Sequence, residues 1–190
     1  MGDVIVQMSM SLDGYIAGPG DDVERLHRWM FAGSGPGTGL AGADQEIFDE
    51  LRGGTGAMIS GRRVYDITHG WNGSHPFTGI PLFVVTHAAP GAVPPGETPF
   101  TFVTDGIASA VARARHAAGG KTVYVIGGAS IDQQLLDAGL VDELRIDVIP
   151  VLLGSGTQLF GKLRTPPAEL AQANVTASEV VTHLRYRVTR

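Results

Sequence analysis

Three times along this chain a short apolar run ends in small or polar residues and hands over to a segment with helical periodicity. Gly56 to Ser60 (GAMIS) leads into GRRVYDI, PLFVVT ends at His87 ahead of a helix around 107–118, and TVYVIGG leads into SIDQQLLDAG. Strands apolar on both faces, alternating with helices that cover them, add up to a parallel sheet, so the pattern predicts an α/β domain on a mainly parallel sheet. Asp3 to Met10 (DVIVQMSM) reads as a further strand, with Val4, Val6, Met8 and Met10 on one side and Ile5 keeping the other partly apolar. Asp21 to Phe31 predicts a short helix, with acids first and then Leu26, Trp29 and Met30 at helical spacing. Ala43 to Leu51 predicts a better one, with Ile47, Phe48 and Leu51 on one stripe, and GSGPGTGLAG before it reads as a flexible loop.

After residue 140 the pattern changes. ELRIDVIPVLL, AQANVTASEV and VTHLRYRV are strand-like without helices between them, which predicts antiparallel strands added at one edge of the sheet. With 190 residues, 43% of them hydrophobic, and no internal repeat or linker, the chain is expected to form a single domain over 1–190.

Composition narrows the chemistry. The absence of cysteine removes disulfides, thiolate nucleophiles and cysteine-bound metal. A net charge of -5 argues against a surface that tracks nucleic-acid phosphates. No apolar run approaches the ~20 residues of a membrane span, and residues 1–10 carry no basic segment of an export signal, so a cytoplasmic protein is expected. The six histidines form no H-E-x-x-H or other close ligand pair, so no metal site is expected, and no G-x-S-x-G elbow occurs.

In an open α/β sheet, ligands collect beyond the carboxyl ends of the strands. Three of these ends carry suitable chemistry: Gly61-Arg62-Arg63, Thr86-His87 and Gly127-Gly128-Ala129-Ser130. Glycines without a Cβ let backbone approach a ligand, and the helix behind them points free N–H groups at an anion. The same glycines also suit a tight strand-to-helix turn with no ligand. Ser130 and Gln133 have the spacing of a capping box, which places the helix start there. Arg62 and Arg63 at a helix start oppose the helix dipole, a placement that a phosphate group would justify, the alternative being a solvated surface pair.

Two phosphate motifs fail. Gly156 to Leu163 (GTQLFGKL) matches G-x-x-x-x-G-K, but Leu163 stands where a magnesium-binding hydroxyl is needed and RTPP follows. IGGAS lacks the G-x-G-x-x-G spacing. Among acids, Asp147 sits in an apolar strand. If buried it suits a proton donor or a group that binds a ring N–H; the alternative is an ion pair with Arg145 or another edge-strand partner. Asp13 and Asp66 are further candidates for the cleft, although Asp13 in a DG turn also suits a plain turn residue. Trp29 and Trp71 could stack on a flat heterocycle or be buried as core.

Taken in order, MSLDGYIAG (10–18), ISGRRVYD (59–66), FVVTH (83–87), VYVIGGAS (123–130) and VDELRIDVIPVLLGSGTQLF (141–160) resemble the dihydrofolate reductase-like superfamily, in its branch similar to the reductase domain of riboflavin biosynthesis. The resemblance implies a three-layer α/β/α fold, NADPH as cofactor and a homodimer. It implies that Gly61, Arg62 and Arg63 hold the pyrophosphate and 2′-phosphate side and that Thr86 and His87 complete the 2′-phosphate pocket. Gly127, Gly128, Ala129 and Ser130 would lie under the pyrophosphate and nicotinamide ribose, with Met8, Ser9 and Ile126 bordering the nicotinamide. The implied substrate is a small nitrogen heterocycle, a riboflavin-type pyrimidine ahead of dihydrofolate. A non-catalytic NADP(H) sensor or storage protein is the other reading of the same cleft. The acid that holds the pterin in dihydrofolate reductases would fall near Gln45, between Asp44 and Glu46, and no deaminase domain accompanies the reductase-like part.

Overall fold

The computed structural model describes residues 2–31, 33, 35, 37–164 and 169–189. Ser34 and Pro36 of the expected glycine-rich loop lie outside the described residues, as does Thr165-Pro166-Pro167 in the RTPP segment.

Six parallel strands carry the fold: β1 (Val4–Ser11), β3 (Thr55–Gly61), β4 (Leu82–Val85), β5 (Phe100–Val103), β6 (Thr122–Val125) and β7 (Glu143–Ile149). β9 (Leu170–Ala177) and β10 (Thr182–Val188) extend them in the order β5-β4-β3-β6-β1-β7-β10-β9. β10 runs antiparallel to β7, and β9 antiparallel to β10, as the tail of the sequence predicts. β2 (Tyr15–Ala17) and β8 (Thr157–Gln158) form a separate two-stranded ribbon, and β8 takes up the start of the GTQLFGKL motif as strand. The FTFV strand β5, a four-residue piece after a proline-rich connection, is an addition to the elements read from the sequence.

One face of the sheet is apolar throughout. Val4, Val6, Val123 and Val125 are fully buried against α4 (Ile107–Ala118) and α5 (Ala129–Asp137), and each such side chain contributes about 1.5–3 kcal/mol by leaving water. α2 (Gly42–Gly54) and α3 (Arg62–Ile67) cover the other face, with Phe48, Leu51, Met58 and Tyr65 in their core. The helix expected over 21–31 is shorter: α1 (Glu24–His27) gives way to a 3-10 turn over Arg28–Phe31.

The α2 face turns polar towards its antiparallel edge. The register aligns Ser9 of β1 with Asp147 of β7, and Asp147 with His183 of β10, so the three lie in one row. Below that row Arg145 pairs with Glu143 and with Glu50 of α2 (3.3 Å), and Arg185 grips Glu50 with two bonds of 2.9 and 2.7 Å.

α5 starts at Ala129 behind Gly128, and no side chain caps it. The expected capping box does not form, because the Gln133 amide donates to the carbonyl of Leu159 (2.7 Å) and so fastens the helix to the chain beyond β8. In the first turn of α5, Asp132 is fully buried and neither carboxyl oxygen has a hydrogen-bond partner. Burial pushes its pKa well above the ordinary 3.8. The unfolded chain therefore releases this proton at lower pH than the folded one. Its contribution to stability is complete below pH 3.8 and is lost as pH climbs to the raised folded value. Asp132→Leu removes both orphan oxygens and is expected to raise stability at neutral pH by about 1–3 kcal/mol. Denaturant melts across the pH range check this: the gain should grow with pH, and a variant less stable than the parent at every pH would contradict it.

Candidate functional site

The carboxyl ends of β1, β3, β4 and β6 open into one cleft of about 1340 Å³. Arg62, Arg63, Thr86, His87, Gly128 and Ser130 line its phosphate-suited end, and Met8, Ser9 and Ile126 its floor. The three strand ends singled out by chemistry in the sequence thus share one space. Gly61 and Ala129 line it as well.

Gly127 is buried and supports the lining from behind. Its carbonyl accepts the Gly61 N–H at 2.8 Å, locking the ends of β3 and β6 together. Its φ is +85°, and a Cβ there would come within 3.1 Å of Met8, so only glycine fits comfortably.

The two arginines are less free than a bare pair. Arg62 donates through Nε to Asp66 (2.7 Å) and through Nη1 to the Ala88 carbonyl (2.8 Å) and to Thr86 Oγ1 (3.5 Å), which bridges α3 to the end of β4. Arg63 forks onto Asp21 at 3.1 and 2.5 Å, and this hydrogen bonding raises its already high pKa.

At the other end the cleft is walled by Trp29, Phe48, Leu51, Phe77 and Tyr124, with Gln7 and Asp147 as its deep polar groups. Trp29 is buried, donates its indole N–H to Ser9 Oγ (3.0 Å) and sets its edge against the His183 ring at 5.3 Å. Trp71 lines the cleft edge-on to His75, whose pKa burial pulls down to about 4. Burial also raises the Tyr124 hydroxyl, which stays protonated.

Asp147 is 3% exposed, and its partner is His183 and not Arg145. Of the expected alternatives, an ion pair with Arg145 or with another edge-strand partner, the strand arrangement realises the second, since Arg145 is taken by Glu143 and Glu50. Asp147 Oδ1 meets His183 Nδ1 at 2.7 Å, Asp147 Oδ2 accepts from Gln7 Nε2 at 2.9 Å, and His183 Nε2 meets Asp44 Oδ1 at 2.8 Å. Burial works against charge on His183, but the two carboxylates outweigh it and its pKa is raised above 6.5.

The acid sought near Gln45 is Asp44, buried on α2. It faces His183 and borders a second cavity of about 570 Å³, not the main cleft. His183 was invisible as a site residue in the sequence; the available signal was the alternation H-L-R-Y-R, whose polar side faces the polar side of E-L-R-I-D across the β7–β10 ladder.

Asp13 and Asp66 do not line the cleft, which corrects their candidacy as cleft acids. Ser11 Oγ and the amides of Leu153 and Gly154 donate to Asp13 at 2.6, 3.1 and 2.7 Å; the Ser11 bond foremost holds its carboxyl below the ordinary range. It fastens two loops. Asp66 holds Arg62 on the outer side of α3.

A family model, the RibD C-terminal domain, matches residues 3–184. The uncharacterised protein YwjB of Bacillus subtilis (strain 168) is 27% identical over 159 residues, covering 84% of this chain and 83% of that protein. A Shewanella sp. PV-4 structure named "Putative riboflavin biosynthesis protein" superposes with a TM-score of 0.78 at 26% identity over 100% of both chains. Dihydrofolate reductase from Enterococcus faecalis, solved with NADP(H), gives a TM-score of 0.61 at 14% identity over 100% of this chain and 98% of that one, a likeness of fold. The fold is the dihydrofolate reductase-like α/β fold.

His183 links the site to stability. Its folded pKa lies above 6.5, so its stabilising contribution is complete below that pH and is lost as pH rises through the folded value. His183→Leu leaves two carboxylates facing an apolar group and is expected to cost about 3–5 kcal/mol at neutral pH. Urea titrations from mildly acid to alkaline pH test this; a cost that does not shrink as pH rises would contradict the charged histidine.

Proposed function

The chain belongs to the RibD C-terminal domain family, a family of reductase type, and from that membership we propose that it is an NADPH-dependent reductase of a small nitrogen heterocycle. The observation that carries this reading is the gathering of Arg62, Thr86, His87, Gly128 and Ser130 in one cleft that ends at the buried acid Asp147.

The residues present fit the cofactor. The start of α5 is uncapped, so its first amides are available to a pyrophosphate, and Gly128 leaves open the space a side chain would fill. Arg62 is a pre-aimed guanidinium for the 2′-phosphate, beside Thr86 and His87. When bound, NADPH supplies the hydride. Met8, Ser9 and Ile126 provide the floor that orients the nicotinamide ring, and Trp29, Phe48 and Phe77 keep water from the reacting atoms. Asp147 faces the substrate ring and holds or passes the proton that accompanies the hydride.

Within this reading a riboflavin-type pyrimidine is favoured over dihydrofolate, because Asp44, the acid on the helix before β3, is turned to His183 and away from the cleft. The late strands suit the proposed homodimer: β9 is an edge strand, exposed over nearly its whole length, with Leu170 and Val175 on its surface. Among the described residues no helix is long and apolar enough to cross a membrane; a cytoplasmic location is part of the proposed reductase reading.

The test is consumption of NADPH, followed by loss of its reduced-nicotinamide absorbance, with pyrimidine and pteridine substrates. Turnover supports the reductase, and tight binding without consumption would replace it by the sensor reading. Arg62→Ala should weaken NADPH by about 1.5–3 kcal/mol, which is roughly 10- to 100-fold, and leave NADH nearly unchanged. Equal losses for both cofactors would remove the 2′-phosphate role.

A further inference from the structure

The proton that accompanies a hydride needs a source, and Asp147 alone is a poor one. Its carboxylate meets His183 Nδ1 and accepts from Gln7 Nε2, and the two carboxylates that flank the imidazole favour the mobile proton on the ring. We propose that His183 is the proton store of the reaction, a positioning residue that acts through Asp147 and is kept charged by Asp44. This inference rests on the reductase reading of the same cleft.

The three groups form an unbroken chain with contacts of 2.7 and 2.8 Å, and their side chains are 5%, 3% and 11% exposed in the order Asp147, His183, Asp44. The two carboxylates differ in surroundings. Asp147 faces the main cleft, walled by Trp29, Phe48 and Tyr124, whereas Asp44 faces the second cavity, which the exposed residues Arg25 and Glu179 also border, with Arg28 lining both. Asp44 is the more exposed of the two carboxylates, 11% against 5%, so water reaches the Nε2 side more readily and Nε2 keeps its proton. Binding of cofactor and substrate dries the Asp147 side and disfavours a negative charge there. The proton therefore leaves from Nδ1.

Asp147 receives that proton and passes it to the nitrogen of a C=N bond as the adjacent carbon receives the hydride. A C–H and an N–H bond form, the C=N π bond breaks, NADPH is oxidised to NADP⁺, and His183 is left neutral with its Nε2–H on Asp44. After product leaves, a solvent proton entering through the open cleft returns to Nδ1 by way of Asp147.

The charge on His183 reflects every element packed against the row. Asp147 comes from β7 and Asp44 from α2, His27 from α1 and Tyr124 from β6 both lie close enough to feel Asp147, and Arg145, Arg185 and Glu50 form the ion cluster one step along the same face. His27 is pushed towards neutrality by burial, so it adds no competing cation.

The experiment has two arms. In the first, ¹⁵N-histidine spectra of the wild-type protein are followed against pH without any substrate. Both ring nitrogens of His183 should be protonated at neutral pH, and Asp44→Asn should move the titration down towards 6.5. A neutral His183, or no movement in Asp44→Asn, overturns the proposal. In the second arm, His183→Gln keeps a hydrogen-bond donor but cannot titrate. It should lower kcat about 100-fold and flatten its alkaline limb, with KM for NADPH changed less than about twofold. Wild-type kcat and an unchanged pH profile in His183→Gln overturn it. A wild-type protein that turns over no heterocycle would instead fail the reductase reading, and the spectra then decide on the charged histidine by themselves.

Discussion

An imidazole held between two buried carboxylates ties together distant parts of the chain. Asp44 and Asp147 lie 139 and 36 residues from His183, on α2 and β7, and their contacts through β10 fix the helix over the sheet where the deep end of the cleft forms. Charges are costly to bury, and such a cluster persists only with close geometry and full pairing. Here the pairing is nearly complete: each ring nitrogen has a carboxylate, Asp147 takes a second donor from Gln7, and Trp29 closes the row by donating to Ser9. Gln7 Oε1 is the one atom of the row left buried without a partner.

The two ends of the cleft solve opposite electrostatic problems. At the arginine end the charges are more exposed: the Arg63 side chain is 77% exposed and pairs with Asp21, 21% exposed. At the deep end the charges are dry and fixed, and removal of any member strands the others. Salt should therefore act mainly on the exposed arginine pairs and little on the geometry around Asp147.

What the sequence revealed and what it hid follow from the range of the interactions. The strand ends at Gly61, Thr86 and Gly127 were legible because an apolar run followed by glycine, arginine or a hydroxyl is a local pattern, and the parallel sheet brings such ends together by topology alone. The capping box at Ser130 failed because its other member, Gln133, found a better acceptor 26 residues away at Leu159. Strand β5 was overlooked because four residues with two aromatics set no period of their own; pairing with β4 makes them a strand. Whether Arg145 or another edge-strand residue would partner Asp147 was hidden for the same reason. On a strand, residues i and i+2 share a face, but the histidine directly across the ladder competes better once the register is set.

The same comparison explains why the cleft is not built for stability alone. Asp132 keeps an unpaired carboxyl behind the glycine pair, Gly127 holds a backbone conformation that other residues resist, and the charged row occupies a face that apolar side chains would fill at less cost. Gly127 and the charged row lie on or directly behind the cleft, and Asp132 stands behind them in the first turn of α5, on a face otherwise packed largely with valine, isoleucine, leucine and alanine. A largely apolar layer on one face of the sheet holds the costly groups at its cleft end in place. That division allows a rigid apolar layer to set the positions of a few groups whose surroundings, unlike the core, are suited to binding and moving charge.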